Sequence, residues 1–128
     1  MLSDNSNSEG VQFEITKILL NLGMAINLKG FTFYKECIMK VVEDPLAIRN
    51  ITKNLYPTIG KNHNVNGSVV ERCMRHACDL AYCKTGFKPI NKFFGVPEFY
   101  DWGYKPANSE LIALIAEYIR SSMCKEAI

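Results

Sequence analysis

The stretch from Ser68 to Leu80, "SVVERCMRHACDL", sets two arginines, a glutamate, a histidine and two cysteines within thirteen residues. With Val70 at 0° and an advance of about 100° per residue, it divides into two arcs. Val70, Cys73, Met74, Ala77, Cys78, Leu80 and Ala81 share one arc, while Ser68, Glu71, Arg72, Arg75, His76 and Asp79 share the other. That separation predicts an amphipathic α-helix with an apolar side for the core and a charged side facing out. Ser68 reads as its N-cap, and Glu71 three residues on completes a Ser-x-x-Glu capping box. The helix is therefore expected over about Val69 to Lys84.

The pattern on either side is also helical. Upstream, "NVNG" is a polar turn, and Pro57 either kinks the helix before it or opens a new short helix, "PTIGKNHN", from its favoured first position. Gly60 weakens that helix by about 1 kcal/mol relative to alanine. Before it, "LAIRNITKNLY" reads as a helix up to Tyr56. "FTFYKECIMKVVED" repeats at three and four through Phe31, Tyr34, Ile38, Val41 and Val42, and "VQFEITKILLNLG" does so through Phe13, Ile15, Ile18, Leu19 and Leu22. Downstream, Thr85, Gly86 and Pro89 break the chain, "INKFFG" reads as a further short helix ended by Gly95, and "VPEFYDWGYKPA" is a loop. Asn108 reads as the cap of "SELIALIAEYIRSSM", whose stripe is Leu111, Ile112, Ile115, Ala116 and Ile119. With no convincing strand, the chain reads as an all-α domain over residues 11–128. Residues 1–10, "MLSDNSNSEG", read as a flexible arm or linker remnant.

The 128 residues are 48% hydrophobic, enough to close one core. Five cysteines without a signal peptide read as reduced thiols in a soluble, cytoplasmic protein. No run approaches the ~18 apolar residues of a membrane span. Net charge is only +2, but Arg49 to Lys92 carries eight Lys or Arg against Glu71 and Asp79, so the basic charge is concentrated mid-chain. His63 and His76 lie in the same segment.

Metal and nucleophile chemistry fit poorly. Cys73, Cys78 and Cys83 recur at a spacing of five, which turns each about 140° from the last, and no CxxC pair is present. Only Cys73 and His76 are placed to share a site, and a Cys/His pair needs an exposed thiol, whereas Cys73 falls on the core arc. No carboxylate pair or phosphate loop appears, so no catalytic residue, metal site or cofactor is expected and the chain does not read as an enzyme.

Nucleic acid fits better. A short helix, a tight turn and a longer helix with polar residues near its start, over about residues 57–84, is the helix-turn-helix order, in which the second helix enters the major groove. Arginine can donate twice to guanine and glutamate can accept from cytosine, so Arg72, Arg75 and Glu71 suit a G·C-containing site on double-stranded DNA.

The sequence resembles the C-terminal effector domain of the stage zero sporulation response regulator. Its landmarks are "LKGFTFYKECI", "ITKNLYPTIGK", "VVERCMRHA", "FFG" and "KPANSELIALIAEYIR", in the family's order from about Ile15 to Arg120. The resemblance implies a compact six-helix, all-α domain whose recognition helix, residues 68–84, binds a TGTCGAA-like box, often in tandem. It implies base reading by Glu71, Arg72 and Arg75, backbone contact or support by His76, and phosphate contacts from Ser68 and Lys61. It further implies a contact between the "FKPINKFFG" region, through Lys88, Asn91 and Lys92, and the sigma factor of RNA polymerase.

Some positions depart from the family. Val69 stands where an arginine is usual, Gly60 replaces an alanine, Asn27 replaces a histidine, and the proline usual near Ala25 is missing. Family members carry a receiver domain ahead of this one, so the chain reads either as an effector fragment or as a receiver-less paralogue. DNA binding is then expected to be constitutive, with a weak homodimer on adjacent boxes. The competing expectation is a decoy that binds RNA polymerase or a full-length paralogue and reads DNA weakly.

Overall fold

A computed structural model describes residues 2–88 and 105–127, with side chains placed for residues 8–88 and 105–123. Among the described residues there are five α-helices and no strand: α1 (Leu2–Asn21), α2 (Lys29–Glu43), α3 (Tyr56–Asn62), α4 (Gly67–Thr85) and α5 (Asn108–Ala127). The expected short helix at "INKFFG" lies outside them, so five helices stand where six were expected.

α1 begins well before the Val11 start expected from the sequence. Its buried stripe is Val11, Ile15, Ile18 and Leu19, continued by Leu22 beyond its end. Phe13 does not join that stripe and is 62% exposed. It lies two residues from both Val11 and Ile15, and two residues turn a helix by about 200°.

α2 is the central helix and packs against α1, α4 and α5. Phe31, Phe33, Tyr34, Cys37, Ile38 and Val41 are all buried on it. Its crossing with α4 depends on Gly30, where a Cβ would lie 2.2 Å from the Cys73 carbonyl oxygen and 2.7 Å from the Ala77 Cβ. Only a residue without a side chain lets the two backbones approach this closely.

The segment expected to be a third helix up to Tyr56 is instead a 3₁₀ turn, Pro45–Asn50, followed by one wide π-type turn, Ile51–Leu55. Asp44 starts the first turn by accepting from the Leu46 amide at 3.3 Å. Nothing in Pro45–Asn50 is buried, so no packing enforces α geometry there. Pro57 has no N–H to return to Lys53 and its ring displaces that carbonyl, which explains the widened turn just before it.

α3 then leads through a tight turn into α4. The Gly60 carbonyl accepts from the His63 and Val65 amides, each at 2.9 Å, and Asn64 adopts a left-handed φ of 58°. A Cβ at Gly60 would lie 2.4 Å from the Val65 carbonyl oxygen. Gly60 is therefore a residue this turn requires, and the helix-weakening role expected from the sequence is secondary.

The turn also overturns the expected capping box. α4 starts at Gly67 behind Asn66, whose carbonyl accepts from the Val69 and Val70 amides at 3.0 and 3.2 Å. Ser68 thus sits inside the first turn instead of capping it, and the Glu71 carboxylate turns to Arg75. Val70, Met74, Ala77, Cys78 and Ala81 are buried as the wheel requires. Cys73 is only half-buried, and Leu80 is 43% exposed. Leu80 lies about 80° from Val70, at the border of the apolar arc, where no element among the described residues covers it.

α5 closes the core with Leu111, Ile112, Ile115, Ala116 and Ile119, all buried as expected. Beyond α4, Phe87 is fully buried in a left-handed conformation, φ 59°. Its ring stands edge-on to Tyr82 at 5.4 Å, and its amide donates to the Thr85 hydroxyl at 3.0 Å. The same hydroxyl donates to the Leu22 carbonyl at 2.9 Å, which ties the end of α4 to the end of α1.

Candidate nucleic-acid interface

α4 carries the charged face because its opposite side is committed to α2 and the core. Ser68, Arg72, Arg75 and His76 are exposed along it, with Glu71 and Asp79 half-buried. Lys61 is exposed in the last turn of α3, just across the tight turn. The fold therefore puts five of the six DNA-facing residues expected from the sequence in the open, and leaves Glu71 partly covered.

Glu71 and Arg75 meet one helical turn apart, with a guanidinium to carboxylate distance of 3.2 Å. Such a pair at the surface is worth little in stability. Its consequence is geometric, since it holds a donor and an acceptor side by side near the start of α4. Asp79, one turn further on, pairs with Lys105. Both carboxylates on this side of α4 are thus matched by cations, which leaves Arg72 and Lys61 to dominate the field that a polyanion meets. A cleft of about 260 Å³ opens beside the pair, lined by residues that include Thr52, Tyr56, Lys105 and Ser109.

His63 belongs to a different contact. Its Nε2 lies 2.6 Å from the Glu36 carboxylate, and its ring edge meets Phe33 at 5.1 Å. This ties the turn after α3 to α2. Lys88 is exposed just past α4, whereas Asn91 and Lys92 lie outside the described residues.

Sequence reasoning missed Asn108, Lys105 and Tyr34. Asn108 was expected to cap α5, but it is the first helical residue there. Its side chain accepts from the Tyr34 hydroxyl at 2.5 Å and donates to the Glu71 carbonyl at 3.1 Å. The available signal was Tyr34 on the apolar stripe of α2, because a buried phenol needs a partner.

The two buried thiols, Cys37 and Cys78, are placed for packing. Burial, with Glu36 adding, pushes the Cys37 thiol up to about 12, and burial likewise raises Cys78. Thiolate is the reactive and metal-binding form, so neither residue is disposed to such chemistry. Cys37 instead meets the Met74 sulfur at 3.9 Å. Among the described residues no three His, Cys, Asp or Glu side chains gather to hold a metal ion. Among the same residues no helix is long and apolar enough to cross a membrane.

Fold and face together define an α-helical domain with one charged, outward-facing helix side, on which Glu71 and Asp79 are each paired with a cation and Arg72 stands exposed. The family model described as sporulation initiation factor Spo0A C terminal matches residues 15–119, and the chain belongs to that family. The match covers most of the 128 residues. It supports a sporulation-type DNA-binding effector domain that acts in transcription regulation.

Proposed function

We propose that α3, the turn after it and α4 act as a helix-turn-helix, with α4 as the recognition helix lying in the major groove of double-stranded DNA. Arg75 and Arg72 donate to guanine, and Glu71 accepts from cytosine, within a TGTCGAA-like box. Lys61 and Ser68 contact phosphates, and His76 contacts or supports the backbone. The observation that carries this reading is the Glu71–Arg75 pair at 3.2 Å on the outward side of α4. It presents an acceptor and a bidentate donor together, as a C·G step requires.

Lys88 is the described end of a further proposed surface, toward the sigma factor of RNA polymerase. A weak homodimer on tandem boxes and a cytoplasmic location belong to the same reading, because the partner is chromosomal DNA.

The test is a gel-shift titration on duplexes with the box and with a scrambled box, repeated across salt concentrations. The box duplex is expected to bind tighter by ~10³-fold or more. Equal binding of both duplexes, or of neither, removes base reading and leaves a protein-binding decoy as the better account.

A further inference from the structure

We infer that Asn108 is a positioning residue for the reading end of α4, setting where Glu71 and Arg75 stand without touching DNA itself. The inference rests on the base-reading proposal above and names what holds that site in place.

Asn108 is a buried polar residue at 9% exposure. Its amide joins elements that are far apart in sequence. The oxygen accepts from Tyr34 of α2 at 2.5 Å, and the nitrogen donates to the Glu71 carbonyl of α4 at 3.1 Å. Tyr56, at the start of α3, lines the same cleft as Asn108 and Glu71. One amide thus links the fully buried Tyr34 to the proposed recognition helix.

The chain beside it reinforces that hold. Cys78 donates to the Pro106 carbonyl at 3.9 Å, and Lys105 pairs with Asp79. Residues 105–108 therefore run along α4 from Asp79 back to Glu71, about 12 Å at 1.5 Å per residue. Asn108 is the attachment at the Glu71 end, where the base-facing pair sits.

Base contacts tolerate displacements of only about 0.5 Å, because bidentate geometry is directional. Contacts from flexible lysines to phosphates tolerate more. Loosening the Glu71 end of α4 therefore lowers discrimination between duplexes and leaves non-specific affinity nearly unchanged. A general loss of fold would instead lower both together.

The experiment compares wild type, Asn108→Ala and Tyr34→Phe in two measurements. The first is affinity for box and scrambled duplexes at one salt concentration. The second is amide hydrogen exchange of the free proteins. The box-to-scrambled ratio is expected to fall about tenfold in Asn108→Ala and about threefold in Tyr34→Phe, with scrambled binding within about twofold of wild type. Amides around Glu71 to Arg75 are expected to exchange faster, while those near Ala81 do not. An unchanged ratio in the folded variants overturns the inference, and if Asn108→Ala does not fold, Tyr34→Phe alone decides. If wild type fails to discriminate, base reading falls, and the exchange data then judge the clamp: wild-type rates around Glu71 overturn it.

Discussion

The Arg75 guanidinium lies 3.2 Å from the Glu71 carboxylate, and the next acidic residue on the same side, Asp79, is held by Lys105 instead. Arg75 stands four residues from each carboxylate, so both are within its reach on a helix. Lys105 decides the competition by occupying Asp79. The pairing that results orients Arg75 toward the start of α4, the end that enters the groove in a helix-turn-helix.

Base and phosphate roles are expected to separate on mutation. Arg75→Ala should cost about 1–3 kcal/mol on the box duplex and little on the scrambled one. Lys61→Ala should weaken both alike and make the plot of log affinity against log salt shallower by about one unit. Titrations of both variants at several salt concentrations check this. Parallel losses in the two would remove the distinction.

Lys105 should matter through Asp79. Lys105→Met leaves the Asp79 carboxylate uncompensated beside the phosphates, and the expected result is a several-fold loss on both duplexes. Adding Asp79→Asn should restore most of that loss, which competition binding can measure. A double variant as weak as Lys105→Met alone would show that the lysine acts in some other way.

Val69 is half-buried at the start of α4, at the position where the resemblance leads one to expect an arginine. Val69→Arg is expected to strengthen binding to both duplexes and to steepen the salt slope by about one unit, since one more phosphate is neutralised. Filter binding at low and high salt distinguishes this from an effect on base reading, which would change the box duplex alone.

Gly60→Ala should destabilise this chain although alanine is the better helix former. The new methyl group would meet the Val65 carbonyl oxygen at 2.4 Å, and shifting that turn costs about 1–3 kcal/mol, more than the ~1 kcal/mol of propensity gained. Thermal melting is the measurement, and a raised midpoint would count against the tight-turn account.

Alkaline pH should unfold the protein earlier than its surface charge suggests. Burial holds the Cys37 thiol and the Tyr56 phenol neutral up to about 12. In the unfolded chain these groups titrate near 8.5 and 10. Below those values both states keep their protons and stability is undiminished. Above them the unfolded chain releases protons first, so stability falls by up to about 1.4 kcal/mol per pH unit per group until the folded values are reached. Buried Tyr34 and Cys78, also raised, act in the same direction. The melting midpoint should stay flat to about pH 8 and decline between about pH 9 and 12; an unchanged midpoint at pH 10.5 would contradict it.

The amphipathic division of Ser68 to Leu80 was legible because helical periodicity is a local property. Side chains three and four apart must share a face, and Val70, Met74, Ala77, Cys78 and Ala81 are buried accordingly. The stripe of α5 and most of α2 were readable for the same reason, as were the exposed Arg72, Arg75, His76 and Ser68. Composition and landmark motifs also placed the chain in its family, whose model matches residues 15–119.

What the sequence did not determine depends on which elements meet. Leu80 lies open because no helix among the described residues covers that border of α4, and periodicity cannot say where a neighbour ends. Gly60 looked like a helix defect until the turn brought the Val65 carbonyl against it. Asn108 looked like a local cap, yet its amide bonds residues 74 and 37 positions away in sequence. Local spacing determined which residues face outward, whereas packing α2, α4 and α5 together decided what holds them there, because a buried polar group must find its partners in space and not along the chain.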